Sequence, residues 1–185
     1  MFNDLFGKQP LIVSLDIDAH VEQKIEQLIQ SGLNVIELLQ CNISLIKHIR
    51  SKYPQLKIGL GNIHNVEQLT LAYDLGLDFM SSPGFYLPLA MTANQYQMNY
   101  LPWLSTVSDA MTIINHHIYQ ARPCPGSIEL CNQLNKYFPE LKLYPLDVKW
   151  EDIELFLDLP TVGAVGLSNP DHLQMQHHLH LYEIT

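Results

Sequence analysis

Short runs of apolar and β-branched residues alternate along the chain with stretches whose apolar positions recur at helical spacing. Eight runs stand out: 11–17 (LIVSLDI), 34–40 (NVIELLQ), 57–63 (KIGLGNI), 77–82 (LDFMSS), 100–106 (YLPWLST), 118–124 (IYQARPC), 142–148 (KLYPLDV) and 162–168 (VGAVGLS). They are short, rich in Val, Ile, Leu and Tyr, and bounded by Gly, Pro, Asn or Asp, which predicts strands. Between them, Val21, Ile25, Leu28 and Ile29 share one helical face over Val21–Gln30, and Gly32 supplies a stop. Ile43–Lys52 gathers Ile43, Leu45, Ile46 and Ile49 and ends at Pro54, while 66–75 closes on Gly76. Ser108 can cap a helix that runs to His116, and 127–138 and 151–159 each end before a proline.

Strand–helix alternation predicts an α/β fold of parallel strands joined by right-handed crossovers. Eight units in 185 residues predict a (β/α)8 TIM barrel, compact and single-domain over 1–185, with short loops and a short C-terminal tail over 170–185. An open doubly wound sheet is the alternative, and the absence of a GxGxxG turn after the first strand counts against it.

Composition narrows the function. A 47% hydrophobic share is enough for a real core, and 16% charged residues is too few for a disordered chain. A net charge of −9 argues against a nucleic-acid footprint or a polybasic membrane patch. No apolar run approaches the roughly 20 residues that span a bilayer. The opening MFNDLFGKQP lacks a signal-peptide pattern, so a cytoplasmic protein is expected. Cys41, Cys124 and Cys131 are odd in number and contain no CxxC pair, which suits neither a disulfide framework nor zinc, and Cys131 reads as core. The tail carries His172, His177, His178 and His180, read as solvated or packed histidines. No metal or cofactor is expected.

In a barrel of this kind, chemistry sits where the strands end. That places Asp16, Glu37, Asn62, Pro83, Thr106, Arg122, Cys124, Asp147, Lys149 and Ser168 among the candidates. Glu37, inside the run VIELL, is costly to bury unless paired. It reads either as a functional carboxylate, as a strand position reaching solvent, or as the ion-pair partner of Arg122. Arg122 interrupts its own strand in the same way and reads as a buried salt bridge or a substrate-binding group. Cys124 is a candidate for a thiol of depressed pKa.

Taken in order, several segments resemble one family, the KDPG/KHG aldolases (2-keto-3-deoxy-6-phosphogluconate and 4-hydroxy-2-oxoglutarate aldolases). GLNVIE at 32–37 is similar to the family's GG-x-V-LEVT, and IGLGNI at 58–63, with Asn65, Glu67 and Gln68, to VGAGTV-x-N-x-EQ. Phe79 with Ser82, Pro83 and Gly84 resembles F-x-x-SPG, and STVS at 105–108 resembles (A/S)T-x-SE. The resemblance implies a small (β/α)8 barrel, a class I keto-acid aldolase ancestry (a carbon–carbon lyase), a homotrimer, and no cofactor. It assigns general-base work to Glu37 and substrate contacts to Asn62, Pro83, Thr106 and Ser168.

The chemical positions depart from the family pattern. The family's Schiff-base lysine, in a KFFP motif on strand six, falls at Arg122. A guanidinium stays protonated in proteins and cannot be the neutral amine that attacks a ketone. The carboxylate-binding arginine after strand two is replaced by Gln40, Cys41 and Asn42, and the threonine of strand three by Asn62. The glycine pair that cradles phosphate is gone, and Asp147 would repel a phosphate. Lys149 is the only lysine near the catalytic end of a strand, read as a relocated amine or as a solvated side chain. The expectation is a family member with a degenerate active site, not a classical phosphorylated-substrate aldolase. The alternative is a catalytically inactive or repurposed barrel that binds a small keto acid or sugar acid.

Overall fold

The computed structural model describes residues 5–7 and 9–179. All eight predicted runs contain strands: β1 (Leu11–Leu15), β2 (Val35–Leu38), β3 (Lys57–Leu60), β4 (Phe79–Ser82), β5 (Asn99–Leu104), β6 (Gln120–Pro123), β7 (Lys142–Leu143) and β8 (Val165–Ser168). Most are shorter than the runs. Beyond the strand ends, Asn62 (φ 55°) after β3 and Asp147 (φ 59°) after β7 are left-handed.

The helices are α1 (Val21–Gln30), α2 (Ile43–Lys52), α3 (Val66–Asp74), α4 (Leu87–Tyr96), α5 (Val107–Asn115), α6 (Ile128–Tyr137), α7 (Ile153–Leu157) and α8 (His172–His178). α4 has no counterpart among the sequence-based helices. Its buried side holds Leu89, Ala90 and Ala93, but Leu87 and Met91 face solvent, so no single apolar stripe marks it. The cap of α5 is Thr106 rather than Ser108: its hydroxyl accepts from the Asp109 amide, and the Asp109 carboxylate accepts from the Thr106 amide. α8 covers His172, His177 and His178 of the tail, with Met175 buried; His180 and 181–185 lie outside the described residues. No described helix is long and apolar enough to cross a membrane.

The strands are parallel and hydrogen-bonded in the order β7-β6-β5-β4-β3-β2-β1-β8. β8 lies beside β1, which excludes the doubly wound alternative, whose order reverses in mid-sheet. The outer strands approach one another as well. Leu143 pairs with Val162, the Leu143 amide donates to the Thr161 carbonyl at 2.8 Å, and the Gly163 amide donates to the Leu143 carbonyl at 2.9 Å.

Period-two alternation divides the apolar residues into two sets. Val13, Leu15, Ile36 and Leu38 face the helices and pack with Ile25, Leu28, Ile46 and Ile49. Ile12, Val35, Phe79, Leu101, Tyr144 and Ala164 form a separate interior cluster, sealed by Leu5 and Phe6. The Phe6 ring meets Phe79 and Tyr144 edge to face, with centroids 5.1 and 5.0 Å apart. Gly59 makes room for Phe79: a Cβ there would stand 2.3 Å from the ring. Gly59→Ala should therefore lower the unfolding free energy by about 1–3 kcal/mol in urea titrations. Adding Phe79→Leu should recover part of that loss; an unchanged midpoint for the single variant would refute this packing.

Candidate active site

Above the interior cluster, two charged side chains cross the inside of the curled sheet. Glu37 on β2 and Arg122 on β6 are both fully buried and form an ion pair, Nη1 to Oε2 at 2.6 Å. Strands two and six are not neighbours in the sheet, so the pair spans the interior. Glu37 also accepts from the buried hydroxyls of Ser14 on β1 and Ser81 on β4, each at 2.5 Å. The Arg122 Nε donates to the Tyr144 carbonyl at 3.4 Å, and its Nη2 has no hydrogen-bond acceptor among the described residues. Gly61 and Gly166 leave room for these groups: a Cβ would stand 3.1 Å from Glu37 Cδ in the first case and 2.4 Å from Arg122 Nη2 in the second.

Burial pushes the Glu37 pKa up, but the Arg122 charge and the hydrogen bonds from Ser14, Ser81 and Arg122 outweigh it and hold the carboxyl below its ordinary value. A carboxylate stabilised by three donors is a weak base at neutral pH. Of the readings open for Glu37 and Arg122, the geometry shows the buried pair.

The other candidates are spread around the rim. Asn62, half-buried, donates from Nδ2 to the Leu39 carbonyl at 3.5 Å. Pro83 is exposed in the loop after β4 and lines a cavity of about 220 Å³ with His64, Ser82 and Tyr86. Thr106 is occupied as the α5 cap. Ser168 donates to the Asp147 carboxylate and, with half-buried Trp150 and the exposed Lys149 and Gln174, lines a second cavity of about 250 Å³ beyond β7 and β8. Cys124 does not have a depressed pKa: burial, aided by the Asp147 carboxylate, pushes its thiol up to about 11. Among the described residues, no group of three or more His, Cys, Asp or Glu could hold a metal ion.

Lys149 is not alone among lysines at this end. Lys24 of α1, buried, reaches Asp18 Oδ2 and Asn169 Oδ1 at 3.2 Å each. Asn169 in turn donates to Asp16 at 3.0 Å, and Gln40 donates to Asp16 at 2.6 Å, tying together the segments after β1, β2 and β8. Sequence reasoning missed Lys24 because it sits mid-helix among polar neighbours, EQKIEQ. Its one local signal is a position next to the buried Ile25.

A family model described as aldolase, KDPG and KHG aldolase, matches residues 8–178. Over 165 residues, the chain is 31% identical to the 2-dehydro-3-deoxy-phosphogluconate aldolase of Zymomonas mobilis, a match covering 85% of this chain and 78% of that one. It is 24% identical to the KHG/KDPG aldolase of Escherichia coli K12 over 165 residues, 85% of this chain and 77% of that one. Among solved structures, a 2-keto-3-deoxy-6-phospho-gluconate aldolase from Zymomonas mobilis superposes with a TM-score of 0.85 at 22% identity, covering 97% of this chain and 94% of that one. A KDPG aldolase from Legionella pneumophila, solved with pyruvate captured at low pH as a covalent carbinolamine intermediate, gives 0.83 at 22% identity, with 97% and 94% covered.

Arg122→Met leaves the Glu37 carboxylate without its counter-charge in a dry interior. It should lower stability by about 3–5 kcal/mol in urea unfolding, and the double variant Glu37→Leu with Arg122→Met should recover most of the loss. The lowered Glu37 pKa also fixes a pH dependence. Its contribution is complete above the ordinary carboxylate pKa of about 4.3 and disappears as pH falls through the lower folded-state value. The stability gap between wild type and Glu37→Gln should therefore narrow on acidification below that pH; a gap that stayed constant would contradict the assignment.

Proposed function

The chain belongs to the KDPG and KHG aldolase family, and from that premise we propose that it has lost imine chemistry and binds a small keto acid or sugar acid without covalent attachment. One observation carries the reading: the interior side chain on β6 is a guanidinium, fully buried and ion-paired to Glu37. The motif resemblance places the family's Schiff-base lysine at Arg122. A guanidinium has no neutral amine with which to form a carbinolamine or imine.

Neither neighbouring lysine supplies a ready substitute. The Lys24 Nζ is engaged by Asp18 and Asn169, and Lys149 is exposed at the rim. The second half of the family's machinery, a base that moves protons, is compromised too, because both Glu37 oxygens already accept hydrogen bonds. The β7–β8 end favours an unphosphorylated ligand, since the Asp147 carboxylate stands beside Ser168 where an anion would approach. The strand order and the Leu143–Val162 bridge support a closed (β/α)8 TIM barrel as the frame for this site.

Two measurements test the proposal. Incubation with excess pyruvate and borohydride should leave the intact mass unchanged, and a reduced pyruvyl adduct on any lysine would restore the aldolase reading. Thermal unfolding in the presence of keto acids and sugar acids should show at least one ligand that raises the midpoint by roughly 3–6 °C at ten times its Kd. A flat response across the panel would remove the binding role.

A further inference from the structure

Between Asp78 and Asp109 the sequence contains no Asp, Glu, Lys, Arg or His, although roughly a quarter of the residues in a soluble domain are ordinarily charged. α4 lies in the middle of this stretch, so its solvent side carries no charge. That side is apolar instead. Leu87 and Met91 stand one turn apart and are both exposed, Met91 at 64%, and the exposed Tyr86 precedes them at the N-cap. Toward α3, the exposed rings of Tyr73 and Tyr96 lie against each other with centroids 4.8 Å apart. Tyr86 also lines the cavity of about 220 Å³ that includes the buried Ile63 and Leu89, so a recess adjoins the protruding side chains. Exposed apolar residues elsewhere have charged company: Leu155 on α7 lies among Glu151, Glu154 and Asp158, and Tyr137 on α6 follows Lys136.

Interfaces take large uncharged side chains out of water, with Tyr and Met enriched and charged residues depleted at their centres, and homomeric interfaces are the most apolar of them. Charge selects the occupant. Each chain carries a net −9, so two copies repel wherever their acids meet at short range. Across α4 they can approach without bringing acids together; Asp74, next to Tyr73, falls at the α3 edge. The same surface offers no charge that would steer or anchor an acidic or basic partner. A protrusion beside a recess also lets one surface fit a copy of itself. We propose that a second copy of this chain docks on the α3–α4 face, with α4 at the centre of the contact and Tyr73, Tyr86, Leu87, Met91 and Tyr96 buried in it. This contact holds or fails independently of the ligand proposed above.

Sedimentation velocity on the full chain tests the contact. At about 50 μM, wild type should sediment as an assembly of more than one chain. Met91→Glu should raise the dissociation constant about tenfold or more while the far-UV circular dichroism stays that of wild type, since the side chain is exposed in the single chain. Met111→Glu on α5, 53% exposed and outside the face, should leave the assembly intact. Wild type alone gives a further readout, which decides if Met91→Glu does not fold. Raising NaCl from about 0.05 to 0.5 M should tighten association several-fold, because screening relieves the repulsion between copies and a charge-free contact has no ion pair to lose. A wild type that stays monomeric overturns the proposal. So does a folded Met91→Glu protein that assembles like wild type, or dissociation by added salt, which marks an interface held by ion pairs elsewhere. Equal dissociation of Met91→Glu and Met111→Glu overturns the assignment to the α3–α4 face.

Discussion

A carboxylate and a guanidinium share the inside of a curled parallel sheet, and the surrounding residues are chosen to make that tolerable. Removing both charges from water is expensive, and the mutual attraction of the pair repays it only when the remaining lone pairs and protons are also satisfied. Ser14 and Ser81 supply the extra donors for Glu37, and the Tyr144 carbonyl accepts from Arg122 Nε. Gly61 and Gly166 keep the opposing backbone clear of the two head groups. Small hydroxyls and glycines at inward positions would leave holes in an apolar interior; here they surround one cross-sheet ion pair.

The same pair decides what chemistry the interior can support. Class I aldol chemistry needs an amine that can be neutral and a base that can accept a proton. A guanidinium is not the first, and a carboxylate held by three donors is a poor version of the second. What the interior presents is a fixed cation neutralised on one side, with its Nη2 lacking an acceptor among the described residues on the other.

Much of the architecture was legible in the residue pattern because the pattern is local. Each strand run carried its own β-branched and aromatic residues and its own terminators, and α1 and α2 begin and end where their apolar spacing and stop residues place them. α4 was invisible because Leu87 and Met91 are exposed on the side opposite its buried residues, which blurs the stripe. Glu37 and Arg122 each stood out as a charge inside an apolar run, and their pairing was one of the readings open to both. Which reading applies is a long-range fact, set by the curl of the sheet. Lys24 and the environment of Cys124 were hidden for the same reason. The first depends on a helix side chain reaching Asn169, and the second on the Asp147 carboxylate 3.8 Å from its sulfur. Neither partner is near in sequence.

The three donors that meet at the Glu37 carboxylate of β2 come from β1, β4 and β6, and the charged one lies 85 positions downstream of Glu37. Without the sixth strand, burial of Glu37 would leave an acid with no counter-charge, so the carboxyl would have to be exposed or protonated. The central ion pair thus ties the first half of the chain to the second, however regular the repeating units look.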